Sequence, residues 1–298
     1  MKVLALSDGL YDYMTATVVL GLVRLLGNNA YFYPRLPYLE SAWCEENSAM
    51  LGTFWGRGFT MTAHLDRDYS LPREQVTSLL EQGHFDLVIY TRAWGSLPFF
   101  NLVLQRYNRD QVVFIDGEDH QSLKLPLTSL GSYFKRELSV YHPKIMPINF
   151  GLPDGLVRDP ISRPSRRIAT VDPRDRSTYI FSTQDTYYDD YQNSYYAITI
   201  KKGGWDCLRH YEIMGMGCVP LFLDIRDCPV FTLYDFPKED FINALELYKI
   251  ASYPEHEQRY DLIRRKIHSY MRSNLTTSSV VARVLDRHSS FVQRGFWS

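Results

Sequence analysis

The sequence has few cysteines, no long apolar run and almost no net charge. Its cysteines, Cys44, Cys207, Cys218 and Cys228, form no CxxC pair, so neither a disulfide scaffold nor a structural zinc site is expected. No window approaches the roughly 18 apolar residues of a membrane-spanning helix. The N-terminal apolar run Val3–Leu6 is too short for a secretory signal. We therefore expect a cytoplasmic protein without a membrane span.

The charge balance excludes a simple polycation. Lys and Arg number 33 and Asp and Glu 34 in 298 residues, a formal net charge of −1. A protein that coats nucleic acid or an anionic membrane through its overall charge is thus excluded, although a local basic patch stays open. Aromatic residues make up 14% of the chain, which argues against disorder. The length favours two domains over one.

Strand-like and helix-like segments alternate along the chain. The first half predicts strands at Val3–Ser7, Tyr31–Tyr33, Leu87–Tyr90, Val112–Ile115 and Lys144–Phe150, with helices at Met14–Leu26, Gln75–Gln82 and Leu97–Tyr107. The second half predicts strands at Tyr179–Ser182, Tyr196–Ile200 and Val219–Leu223, with helices at Cys207–Met216, Glu239–Ile250, Glu257–Ser273 and Thr277–Gln293. This alternation indicates parallel sheets with crossover helices.

We therefore predict an α/β protein of two lobes that face each other across a cleft, residues 1–155 and 177–298. Residues 156–176, which hold several prolines and six arginines, are predicted to link them. This segment is interpreted either as a solvated connection or as a contact for phosphate or nucleic acid. Ligands of open parallel sheets bind at the carboxyl ends of the strands, so the site is expected in the cleft.

The stretch from Ile198 to Asp224 carries the most information. It predicts a strand, a glycine loop, a helix, a glycine turn and a second strand. Such a helix start binds anions, because its backbone N–H groups are free and the helix dipole favours negative charge. Arg can bind two phosphate oxygens at once, and a carboxylate can accept both hydroxyls of a ribose. Asp206 is a candidate N-cap. The candidate donor-binding residues are Lys201, Lys202, Gly203, Gly204, Arg209, His210 and Glu212.

The run from Gly204 to Glu212, followed by Gly217-Cys218-Val219-Pro220-Leu221, resembles the donor-binding region of GT-B glycosyltransferases, and most of all the exostosin-like pattern. The resemblance implies two Rossmann-like lobes and a UDP- or GDP-linked sugar donor. It implies that Arg209 contacts the diphosphate and Glu212 the ribose, with no metal or other cofactor. The acceptor would be a glycan precursor or a modified DNA base. The alternative is an ordinary surface helix on which Arg209 and Glu212 pair.

Two loops of the first half hold candidate catalytic carboxylates. Asp8 follows the first predicted strand and could act as base, or it could simply turn the chain. The second loop follows the strand Val112–Ile115, and its closely spaced acids favour a raised pKa on one of them; a solvated acidic turn is the alternative. The candidates in this loop are Asp116, Glu118, Asp119 and His120. Asp12, Arg92 and Trp94 are candidates for acceptor binding.

Other patterns are weaker. Asp66-Arg67-Asp68 has the DxD spacing of GT-A metal sites but is interpreted as an exposed loop, and the histidines lack metal-binding spacing. The tyrosines from Tyr187 to Tyr196 suit a sugar or a base, or else form a partly buried loop. A nicotinamide-dependent enzyme would need a GxGxxG loop after a strand, which is absent. A non-catalytic protein that binds nucleic acid or glycan through the linker arginines and these tyrosines stays open.

Overall fold

A computed structural model describes residues 1–250 and 256–294. Its first sheet has six parallel strands in the order β2-β1-β3-β4-β5-β6. Val3 lies opposite Ala30 on one side and Leu87 on the other. The strands β1, β3, β4 and β5 are buried throughout, as expected for a parallel sheet covered on both faces. The strands are β1 (Val3–Leu6), β2 (Ala30–Tyr33), β3 (Leu87–Tyr90), β4 (Val112–Asp116), β5 (Ser132–Lys135) and β6 (Ile145–Pro147).

Five α-helices accompany this sheet, and together they form the first lobe. The longest begins after Asp12, whose carboxylate accepts a hydrogen bond from the Thr15 N–H at 2.7 Å. Asp12 therefore acts as a helix N-cap, and its predicted contact with the acceptor stays a prediction. The helices are α1 (Tyr13–Leu26), α2 (Ser41–Glu46), α3 (Ser48–Leu51), α4 (Arg73–Glu81) and α5 (Phe100–Arg106).

The second sheet has three parallel strands in the order β7-β8-β9, and with its helices it forms the second lobe. Its strands are β7 (Arg166–Ile168), β8 (Ser194–Thr199) and β9 (Val219–Phe222). The remaining helices are α6 (Gln184–Gln192), α7 (Leu208–Gly215), α8 (Lys238–Lys249), α9 (His256–Asn274) and α10 (Thr277–Gln293). Two parallel sheets with crossover helices confirm the predicted α/β class.

Three segments of the second lobe differ from the sequence-based expectation. Residues 166–168, expected in the linker, pair with Ser194 and Tyr196 as an edge strand; two of the three are exposed arginines, which hid the strand. The predicted strand Tyr179–Ser182 has no strand structure. The tyrosines at 187–191 lie in helix α6 and not in a loop, because Thr183 caps that helix.

The chain returns to the first lobe at its last helix. Leu152 pairs with the chain on both sides of Thr276: its N–H donates to Leu275 O, and its carbonyl accepts from Thr277 N–H, both at 2.9 Å. Helix α10 then packs on α1 at Gly21, where a Cβ atom would lie 2.4 Å from the Thr277 carbonyl oxygen. The predicted second domain, 177–298, thus contributes a helix to the first lobe, and its residues 251–255 and 295–298 lie outside the described part. Within that part, no helix is long and apolar enough to cross a membrane.

Candidate active site

The loops at the carboxyl ends of β1, β3 and β4 meet in one ionic cluster. The Arg92 guanidinium pairs with Asp8 and, at 3.2 Å, with Glu118. The Asp8 side chain is 11% exposed and that of Glu118 34%. Gly95 permits this approach, because a Cβ there would lie 2.4 Å from Asp8 Oδ2. The structure therefore brings together two predicted catalytic carboxylates and one predicted acceptor residue.

Asp116 is the last residue of β4, directly before the loop that holds Glu118, but its side chain is enclosed. Its side chain has no exposed surface. Its carboxylate accepts hydrogen bonds from Lys135 Nζ at 2.8 Å, Tyr133 OH at 2.6 Å and Trp94 Nε1 at 2.8 Å. The Glu118 N–H also donates to this carboxylate, at 3.2 Å, so four donors take up its lone pairs and it holds the sheet edge together. These contacts give Asp116 a structural role, and its part in catalysis stays a prediction.

The other two members of the acidic loop face outward. The Asp119 carboxylate, 59% exposed, pairs with Arg136. The exposed His120 lies edge-on against the Trp94 ring at 4.8 Å, and Lys124 Nζ lies 5.0 Å from the centre of the same ring. Trp94 thus has both its indole N–H and its ring in use, so the predicted acceptor residue is fixed within this edge of the sheet.

The amino end of α7 is occupied by a carboxylate of the first lobe. Glu137 Oε1 accepts from Asp206 N–H at 3.0 Å, and Oε2 accepts from Trp205 N–H at 3.1 Å. A Cβ atom at Gly204 would lie 2.3 Å from Glu137 Oε1, and one at Gly203 would lie 2.1 Å from Asp119 Oδ2. Glu137 thus binds two backbone N–H groups just before the N-cap residue Cys207, and internal carboxylates lie against Gly203 and Gly204. A phosphate contact at these two glycines stays a prediction.

Asp206 is likewise used across the lobes and does not cap α7, which begins after Cys207 without a side-chain cap. Its carboxylate accepts from Phe150 N–H at 2.9 Å and Tyr211 OH at 2.7 Å. Burial, opposed by the charge of Arg136, raises the pKa of Asp206 to about 7. Arg136 also donates to the Asp206 carbonyl at 2.5 Å. These contacts tie the first lobe to the start of α7.

Three further donor candidates have structural partners. His210 is fully buried between Thr199 Oγ1 and the Trp205 carbonyl, each at 2.8 Å. Burial lowers the pKa of His210 to about 3, so it stays neutral and contributes no charge to an anion site. The exposed Lys201 lies with its Nζ 5.2 Å from the centre of the Trp205 ring, and Lys202 Nζ donates to the Pro173 carbonyl.

Arg209 is the donor-binding candidate that keeps two free donors; among the described residues, the Nε of Arg92 in the ionic cluster is also buried without a partner. Its Nη2 donates to Tyr179 OH at 2.7 Å. Its Nε and Nη1 are buried and have no hydrogen-bonding partner in the part of the chain that the structure describes. Burial lowers its pKa, but the surrounding tyrosines and Glu212 more than offset this, and the net pKa is raised. A fixed positive charge with two buried, unsatisfied N–H groups is a strong anion-binding feature.

Glu212 lies one turn further along α7 and is buried. Its Oε1 accepts from Thr60 Oγ1 at 2.5 Å, and its Oε2 accepts from Tyr187 OH at 2.7 Å. Burial raises the pKa of Glu212. The alternative of an exposed surface pair is excluded, since Glu212 is enclosed and no Arg209–Glu212 ion pair forms among the described residues.

Tyrosines of both lobes surround these two side chains, and the sequence analysis missed those of the first lobe. Tyr11 stacks on Phe54 at 4.4 Å and meets Tyr13 edge-on at 5.6 Å. Burial, with a smaller contribution from the Glu212 charge, raises the pKa of both tyrosines, so their hydroxyls stay protonated. The aromatic spacing after β1 was the signal that could have identified them. The second lobe adds Tyr179, Tyr187, Tyr188 and Tyr191.

The described residues contain no group of three His, Cys, Asp or Glu side chains placed to hold a metal ion. The DxD acids take separate partners: Asp66 accepts from Tyr69 OH at 3.3 Å, and Asp68 lies 3.4 Å from Arg35.

Comparisons with known proteins returned structural neighbours only. No protein-family model matches the sequence, and no curated protein matches it. The fold is similar to Anabaena HepE in complex with UDP, with 9% identity and a TM-score of 0.48 over 97% of this chain and 100% of that one. It is also similar to the GtfA/B complex, with 11% identity and a TM-score of 0.41 over 76% of this chain and 61% of that one.

Proposed function

We propose that the protein is a glycosyltransferase that moves a sugar from a nucleoside diphosphate donor to an acceptor held at the carboxyl edge of the first sheet. One observation carries the proposal: Nε and Nη1 of Arg209 are buried without a hydrogen-bonding partner among the described residues. Leaving a buried donor unsatisfied costs about 1–3 kcal/mol, and more for a charged group. An anionic ligand would remove that cost, which supports a binding role.

The surroundings of Arg209 suit a nucleoside diphosphate. Glu212 follows three residues later and lies on the same side of α7, so a guanidinium and a carboxylate are presented together. The guanidinium matches phosphate oxygens, and the carboxylate matches ribose hydroxyls. The exostosin-like run from Gly204 to Leu221 agrees with these two roles. Because Glu137 already binds at the amino end of α7, we place the diphosphate contact on the side of this helix, at Arg209.

The acceptor side is the Asp8–Arg92–Glu118 cluster. A general base must reach the acceptor hydroxyl directly, and Glu118 is the more exposed of the two carboxylates. We assign Glu118 as the base of an inverting transfer. Asp8 holds Arg92 in place, and the acceptor is a glycan or a nucleobase carrying a free hydroxyl.

The competing function, a nucleic-acid binder that uses the linker arginines, has less support. Arg158 pairs with Asp185 and Asp189, and Arg166 pairs with Asp190. These carboxylates reduce the local positive charge on which phosphate binding depends.

Thermal shift with UDP, GDP and their sugars tests the proposal on the wild type, Arg209→Ala and Glu212→Gln. The matched control is Arg226→Ala, an exposed arginine paired with Glu246 on the same lobe. Loss of charge-assisted hydrogen bonds predicts nucleotide affinity about 10- to 100-fold weaker in Arg209→Ala, with Arg226→Ala unchanged. Slow hydrolysis of the matching nucleotide sugar should fall in parallel. An equal shift in the wild type and in both site variants would refute the assignment.

A further inference from the structure

The chain between α3 and α4 contains a segment with an unusual backbone, residues 55–63, which we call the strap. Gly56, Arg57, Gly58, Thr60 and Ala63 all have left-handed φ angles between 59° and 73°. Left-handed backbone is a clear outlier for a β-branched residue such as Thr. The surrounding contacts must therefore hold Thr60 in this conformation.

Those contacts come from the second lobe. The N–H of Thr60 donates to Gln184 Oε1 at 2.6 Å. Its hydroxyl donates to Glu212 Oε1 at 2.5 Å and accepts from Tyr188 OH at 2.6 Å. Arg57 Nη1 adds a bond to the Phe181 carbonyl at 2.7 Å. Thr60 has no exposed surface, so the strap reaches across the lobes and closes over Glu212.

We propose that the strap occupies the ribose position of the donor site and that the donor must displace it. This proposal rests on the proposed function. The Thr60 hydroxyl makes with Glu212 the hydrogen bond that a ribose hydroxyl would make. Glu212 is only 6% exposed and Thr60 covers its Oε1, so a ribose diol can reach that oxygen only after Thr60 leaves. The strap is thus a built-in competitor of the nucleotide.

The structure leaves room for this movement. A pocket of about 710 Å³ lies along the strap and is lined by Arg57, Gly58, Phe59 and Thr62 on one side and by Ser182 and Gln184 on the other. Displacement of the strap into this space would also uncover Met61, which is fully buried in the core. The first residue of the strap, Trp55, is 80% exposed, so that end is not anchored by burial.

The first test compares UDP affinity of the wild type with Thr60→Gly and Thr60→Ser. Glycine accepts a φ of 73° without strain and removes the hydroxyl, so the variant should fold and bind UDP about tenfold more tightly. Thr60→Ser keeps the hydroxyl and should bind like the wild type. Thr53→Ala is the control, because that exposed threonine precedes the strap and bonds only to the Met50 carbonyl among its described neighbours.

The second test measures amide hydrogen exchange in the wild-type protein with and without UDP. Displacement predicts faster exchange at residues 55–63 when UDP is bound. Slower or unchanged exchange there, with equal UDP affinity of the wild type and Thr60→Gly, would overturn the strap proposal. If Arg209→Ala still weakens UDP binding about 10- to 100-fold in that case, the proposed function stands alone. If neither the wild type nor Thr60→Gly binds any nucleotide, both proposals fail.

Discussion

Asp206 joins the lobes, and its replacement by Asn should change how stability depends on pH. Its carboxylate accepts hydrogen bonds from Phe150 N–H and Tyr211 OH, and burial raises its pKa from 3.8 to about 7. Between pH 3.8 and about pH 7, Asp206 holds a proton in the folded protein that it has released in the unfolded chain. The free energy of unfolding therefore falls as the pH rises through this window, and above pH 7 the full penalty is present.

The size of the effect follows from the shift. A rise of roughly three pKa units corresponds to about 4 kcal/mol, at about 1.4 kcal/mol per unit. Most of this penalty, roughly 2.5 kcal/mol, develops between about pH 5 and pH 8 for groups with these two pKa values. The amide introduced by Asp206→Asn would be neutral at every pH and close in shape to the protonated acid. The variant should lack this part of the pH dependence and should be more stable than the wild type at pH 8.

Urea denaturation at about pH 5, 6, 7 and 8 measures this effect on both proteins. Since histidines and other groups titrate in the same range, the informative quantity is the wild-type free energy of unfolding minus that of Asp206→Asn at each pH. It should fall by about 2–3 kcal/mol from pH 5 to pH 8. Asp227→Asn, which changes an exposed acid, should give a flat difference. A flat difference for Asp206→Asn would show that the buried carboxylate is not protonated in the folded state.

Two other substitutions separate structural from catalytic positions. Asp116→Ala leaves the Lys135 ammonium buried without its partner and should destabilise the protein by about 3–5 kcal/mol in urea denaturation. Glu118→Gln should keep the stability of the wild type and lower kcat. The reverse pattern would exchange the roles of Asp116 and Glu118. Gly21→Val places atoms against the Thr277 carbonyl, and the lost packing of α10 on α1 should cost about 1–3 kcal/mol. An unchanged denaturation midpoint for Gly21→Val would show that α10 adds nothing to the first lobe.

The strands that the sequence predicted well are those with uniform apolar character. β3 and β4 are buried at every position, and continuous apolar runs mark such strands. β5 was missed because it carries a buried lysine, Lys135, at its end, which pairs with Asp116 on the neighbouring strand. β7 was missed because its arginines face solvent. Charge within a strand can be interpreted only when the partner across the sheet is known.

Only part of the candidate site was predictable, because a sequence pattern identifies neighbours along the chain and not contacts across the fold. The spacing of Arg209 and Glu212 on one helix is a local property, so the sequence was sufficient to place them together. Which residues cover them is a long-range property. Thr60 lies 152 positions from Glu212, and no local pattern announces that contact. The same holds for Glu137, whose carboxylate lies beside a tract of lysines and glycines that locally favours a phosphate.

Glu137 occupies the place before α7 where the sequence predicted a diphosphate. Its buried carboxylate already takes the backbone N–H groups of Trp205 and Asp206, and Arg136 Nη1 lies 3.0 Å from Oε1. A phosphate at that place would have to expel an ion pair that is fully hydrogen-bonded, at a cost of several kcal/mol. Binding at Arg209 displaces no ion pair and satisfies donors that the described protein leaves unpaired. On our proposal a donor replaces the neutral hydroxyl of Thr60 and leaves the buried charge of Glu137 in place, which favours the side of α7 over its end.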